Sequence, residues 1–101
     1  MIKLKLDSYR AVSNFLKNEK KYFFSLITSL IRDGWENNIE NVNIIEFHVK
    51  DSMLKVDVNV EDWNNVLHLA LDYYESIEDY ENCVEVSDLI LDIYGKVNHK
   101  L

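Results

Sequence analysis

A single cysteine, Cys83, stands in the whole chain, so no internal disulfide can form and a secreted disulfide scaffold is excluded. Glycine occurs only twice, at Gly34 and Gly95, and neither sits in a Gly-rich loop that could cradle a phosphate. Proline is absent and alanine is limited to Ala11 and Ala70, while Asn, Ile, Lys and Tyr abound. Such usage suggests an AT-rich gene, of the kind common in phages and horizontally acquired elements. No window approaches the ~18 uncharged apolar residues of a membrane span, and Met1-Ile2-Lys3-Leu4-Lys5-Leu6 lacks the apolar stretch of a signal peptide. A soluble, cytoplasmic chain without membrane contact is therefore expected.

What is present points to a folded protein. Hydrophobic residues make up 48% and aromatics 12%, too apolar for a disordered chain even at a formal net charge of −7. The 101 residues fit one small acidic domain spanning 1–101.

Residues 2–6 alternate apolar side chains with lysine and read as a short strand whose Lys3 and Lys5 protect an edge. Asp7-Ser8 can cap a helix carrying Val12, Phe15 and Leu16, and polar Lys17 to Lys21 then interrupts the pattern. Phe23, Leu26, Ile27, Leu30 and Ile31 form the stripe of a long helix that Gly34 would close, and residues 35–42 read as a connecting loop. Ile45, Phe47 and Val49, then Leu54, Val56, Val58 and Val60, alternate with polar residues as two strands turning at Lys50-Asp51-Ser52. Glu61-Asp62 favours a helix start. Trp63, Val66, Leu67, Ala70, Tyr74 and Ile77 then mark one helix face. Tyr80, Cys83, Val84, Ser87, Ile90, Leu91 and Tyr94 mark the next, which Gly95 ends. The expected fold is α+β: helices packed on one face of a small antiparallel sheet, with a hairpin at about 43–60, a candidate third strand at 2–6 and a C-terminal acidic helical hairpin.

The segment Tyr73 to Tyr80, with Tyr74, Tyr80 and Cys83 at matching offsets, resembles the turn of a tetratricopeptide repeat. That family has small residues where Leu71 and Ile90 stand, a glycine where Glu78 stands, and several repeats in tandem. The resemblance implies only the local geometry of a helical hairpin.

Chemistry-bearing constellations are scarce. The histidines His48, His68 and His99 form no HExxH or short-spaced ligand pair, and there is no CxxC. Cys83 lies between Tyr80 and Ile90 on an apolar stripe and reads as a core thiol rather than a nucleophile served by His68. His68 precedes Asp72 by four residues, the spacing of a solvated pair on a helix. His48 falls on the outer hairpin face near Glu46, across from Asp57 or Lys55. No catalytic residue, metal site or cofactor is expected, and the chain is not expected to be an enzyme.

Charge is instead sharply segregated. Residues 1–21 carry six basic groups (Lys3, Lys5, Arg10, Lys17, Lys20, Lys21) against two acids. Between Lys55 and Lys96 there is no Lys or Arg, while eleven acids occur. Glu81, Glu85, Asp88 and Asp92 recur at i, i+4, i+7 and i+11, one stripe of a helix. Like charges at these offsets destabilise a helix by about 0.2–0.5 kcal/mol per pair, and Asp88 and Asp92 oppose the helix dipole as well. The stripe reads in two ways: a face solvated, or neutralised by the basic N-terminal segment folded across it, or a docking surface for a basic partner. The docking candidates are Asp72, Glu75, Glu78, Asp79, Glu81, Glu85, Asp88 and Asp92.

Direct nucleic-acid binding is disfavoured, because a phosphate backbone would meet a face without a cation over forty residues. A basic protein partner is expected: a toxin or a nucleic-acid-binding enzyme. The leading expectation is an immunity protein neutralising a cognate nuclease-type bacterial toxin. The alternatives are a phage-encoded, nucleic-acid-mimicking inhibitor of a host defence enzyme and a small helical adaptor or structural subunit.

Overall fold

The computed structural model describes residues 2–95. The element order is β1 (Ile2–Leu6), α1 (Tyr9–Asn18), α2 (Lys20–Glu36), β2 (Asn41–Val49), β3 (Ser52–Asn59), α3 (Trp63–Ser76) and α4 (Tyr80–Tyr94), with a single 3-10 turn at Val60–Asp62 before α3. The α+β layout is the one read from the sequence, but the sheet is mixed. β2 pairs antiparallel with β3, and β1 lies on the other side of β2 in parallel register. A parallel neighbour cannot be reached through a tight turn, and α1 and α2 supply the long crossover that brings the chain back.

Register explains the burial pattern. Ile2, Ile45 and Val56 share one row, and Leu4, Phe47 and Leu54 the next, all on the same side of the sheet, where all but Leu54 pack into the core. Lys3, Glu46 and Lys55 form a row on the opposite side, and Lys5, His48 and Met53 another. His48 therefore faces Met53, not Asp57 or Lys55. An irregularity between Asn43 and Ile45 inserts one residue into β2 and lets Ile44 and Ile45 both be fully buried. Glu46 is also buried despite its place on the outer row, and its Oε1 lies 2.7 Å from His48 Nε2.

Ser8 caps α1, its hydroxyl accepting the Ala11 N–H at 3.2 Å. The expected polar interruption is only Glu19, so α2 begins at Lys20 and runs on through Trp35. Gly34 does not close this helix. Asn38 does so with φ 57°, in a Schellman arrangement where Ile39 N donates to Gly34 O (2.8 Å) and Asn38 N to Trp35 O (3.4 Å). Gly34 serves packing: a Cβ there would stand 2.8 Å from Val42 Cγ2 and 3.2 Å from Ile39 O. Its missing side chain lets α2 close on β2. The expected loop at 35–42 thus shrinks, because Trp35 and Glu36 belong to α2 while Asn41 and Val42 begin β2. Val60, expected in the second strand, lies in the 3-10 turn, and its N–H donates to Glu40 O. Trp63 locks the start of α3 to the sheet by donating from Nε1 to Val58 O at 3.2 Å. Gly95 is a true stop, with φ 74° and its N–H on Leu91 O.

Candidate functional site

α3 and α4 pack side by side, joined by Ile77, Glu78 and Asp79. A second Schellman arrangement closes α3: Asp79 N donates to Tyr74 O at 2.8 Å and Glu78 N to Glu75 O at 3.0 Å. Glu78 occupies the left-handed position with φ 56°, where glycine is the unstrained choice. An acid is held there at a conformational cost. Asp79 then opens α4 as its N-cap, accepting the Asn82 N–H (3.4 Å) and the Asn82 carboxamide (2.7 Å). These bonds, and the Lys21 ammonium at 3.3 Å, hold its carboxyl below the usual carboxylate range.

The eight candidate residues divide on this geometry. Asp79 is half-buried and committed to capping and to Lys21, so the basic N-terminal half of the chain does reach the acidic half, at the hairpin turn. Asp72, Glu75, Glu78, Glu81, Glu85, Asp88 and Asp92 are all exposed. Among the described residues no Lys, Arg or His lies within 4 Å of the carboxylates of Glu81, Glu85, Asp88 or Asp92. Glu81 sits in the first turn of α4, where the dipole welcomes it, but the last turn holds no basic residue and does hold Asp92. With three like-charge pairs at i+3 and i+4, the stripe destabilises α4 by roughly 0.6–1.5 kcal/mol.

The buried face of α4 differs from the expected one. Cys83, Val86, Leu89 and Ile90 form the core side, while Tyr80, Val84, Leu91 and Tyr94 stand exposed. In α3 the core side is Trp63, Leu67, Ala70, Leu71 and Tyr74, and Ile77 is exposed. Cys83 is a core thiol, pushed up in pKa by burial and by the nearby carboxylates of Glu75 and Asp79. A raised thiol pKa disfavours the thiolate that nucleophilic chemistry requires. The His68 ring is half-buried: Nδ1 lies 2.8 Å from Asn64 O, which makes it the donor, while Nε2 is buried without a partner. Among the described residues no group of three or more His, Cys, Asp or Glu is placed to hold a metal ion, and no helix is long and apolar enough to cross a membrane.

A polar cleft of about 180 Å³ lies between α2 and α4, lined by Ser25, Thr28, Ser29, Arg32, Asn82 and Glu85, with Tyr74 of α3 beneath. Sequence reading passed over it. The signal was Ser25, Thr28, Ser29 and Arg32 at i, i+3, i+4 and i+7, a polar stripe beside the apolar one on the same helix. The Tyr74 hydroxyl is buried without a hydrogen-bond partner, and burial followed by the charge of Asp79 pushes its pKa up to about 12. The folded state therefore favours the protonated phenol. Its contribution is fully present below the ordinary tyrosine range near 10 and is lost as pH rises toward 12. Tyr74→Phe removes an unpartnered group, so unfolding at pH 7 should change by less than about 1 kcal/mol. Thermal unfolding across pH 9 to 12 should then show a smaller loss of stability for the variant than for the native protein.

Comparison of the chain with protein-family models, with curated proteins and with solved structures gave no match.

Proposed function

We propose that this protein is a protein-binding inhibitor that lays its acidic α3–α4 surface over a basic site of another protein, and that it acts as an immunity protein neutralising a cognate nuclease-type toxin. The observation that supports this reading is the stripe of Glu81, Glu85, Asp88 and Asp92, exposed along α4 with no Lys, Arg or His within 4 Å of its carboxylates among the described residues, although Arg32 faces Glu85 across the cleft. A stripe kept at a cost to helix stability argues for a role outside the fold. Enzymes that act on nucleic acids carry grooves lined with Lys and Arg, and a rigid row of carboxylates competes there with phosphates while complementary potential speeds encounter. A binding role also suits a chain whose thiol is buried.

The test is capture from extracts of the host cell at low and at high salt. The expected partner is a protein with nucleolytic activity that the native chain abolishes, and capture should fade as salt rises. Capture of a partner without nucleic-acid chemistry, or inhibition indifferent to salt, would overturn the proposal.

A further inference from the structure

On α4 the exposed apolar residues are not scattered. Tyr80 is 65% exposed, Val84 58% and Leu91 46%, and at i, i+4 and i+11 they fall within about 40° of one another around the helix. This stripe is separate from the face that Cys83, Val86, Leu89 and Ile90 turn into the core. Glu81, Glu85, Asp88 and Asp92 occupy the next sector, so α4 presents an apolar row with an acidic row along its edge for roughly three turns, about 16 Å.

We propose that this paired stripe is a docking face for an amphipathic cationic helix of the partner protein, its apolar side seated on Tyr80, Val84 and Leu91 and its lysines or arginines on the acids of α4. The inference rests on the acidic-docking reading given above and adds what it leaves unsaid, namely the shape and the apolar half of what docks. Charge selects the occupant. A second copy of the chain packed antiparallel would set acidic row against acidic row, and in either orientation both molecules carry a net charge of −7. An anionic lipid surface or a nucleic acid would meet the same repulsion. An amphipathic helix with basic residues satisfies both rows at once, in the helix-against-apolar-face mode read by anchors at i, i+4 and i+7.

The test uses three synthetic 18-residue peptides titrated into the native protein: a Leu/Lys amphipathic helix, its sequence scramble, and a neutral Gln/Ser peptide of equal length. The amphipathic peptide should bind about ten times tighter than the scramble. Val84→Gln with Leu91→Gln should erase that tenfold preference while thermal unfolding falls by no more than a few degrees, both side chains being exposed. Glu85→Lys with Asp88→Lys should weaken both cationic peptides. Equal binding of amphipath and scramble, or a preference that survives the glutamine pair, overturns the inference but leaves acidic docking standing if charge reversal still weakens both. Cationic peptides that bind no better than the neutral one overturn both. Self-association that the glutamine pair abolishes assigns the stripe to a second copy and also overturns the inference.

Discussion

Replacing Phe47 with alanine should lower the free energy of unfolding by about 3–5 kcal/mol, a third or more of what a domain of this size has in reserve. Phe47 is 1% exposed on the central strand, and its ring meets Phe15 of α1 edge to face with centroids 5.7 Å apart. Phe15 in turn meets Tyr22 of α2 at 6.3 Å. The truncation would open a cavity where the sheet and the first two helices converge, and each face would lose contacts that no neighbour can restore. Leu54 occupies the same row on the edge strand but is 41% exposed, so Leu54→Ala should cost about 1 kcal/mol. Thermal unfolding separates the two: a fall of roughly 15–30 °C for Phe47→Ala against a few degrees for Leu54→Ala. Similar shifts for both would contradict the register of the sheet.

The hairpin was legible because a strand packed on one face alternates apolar and polar residues, and residues 45–49 and 54–58 do so. Lys3 and Lys5 marked β1 in the same way. Neither pattern carries direction, and β1, expected in an antiparallel sheet, lies parallel to β2 because α1 and α2 form the crossover. Gly34 misled because a glycine after an apolar stripe commonly ends a helix, whereas here the stop is Asn38 and the glycine is demanded by Val42 across the interface. Glu46 sits on a polar row yet is buried, since a central strand is flanked on both sides by long neighbours, here Lys3 and Lys55. The cleft over Tyr74 is made by three helices together and leaves little local trace.

The candidate surface was legible in charge and misread in its apolar part. Spacing alone placed the four acids of α4 on one exposed stripe. The true core residues of that helix, Cys83, Val86, Leu89 and Ile90, adjoin Tyr80, Val84, Leu91 and Tyr94, so its apolar arc is wider than one partner helix can cover. Hydropathy cannot say which half of such an arc is buried. Packing against α3 decides it, and leaves the other half exposed next to the acids. Asp79 shows the opposite error: its place in the acidic run hid a role as helix cap and as the partner of Lys21.

The second large effect is expected on binding. Reversing Glu81, Glu85 and Asp88 to lysine should leave the fold intact, because the three side chains are exposed and Asp88→Lys relieves an anion near the end of the dipole. The same change replaces attraction by repulsion at the docking face. Steered association gains roughly 10- to 1,000-fold in rate from complementary potential, so the triple variant should associate with the captured partner at least about tenfold more slowly at low salt. Far-UV circular dichroism and thermal unfolding check that the variant is folded before its kinetics are read.

The most direct measurement is the association rate between the native protein and that partner as ionic strength rises from about 20 to 300 mM, set beside the same series for the triple variant. The Debye length shrinks from roughly 20 Å to 6 Å over this range, which removes most long-range attraction between exposed charges. The account predicts a native rate that falls steeply with salt and a variant rate that is slow from the start, the two converging at high ionic strength. Equal rates for both proteins at every salt concentration would contradict it and return the acidic stripe to a solvated surface.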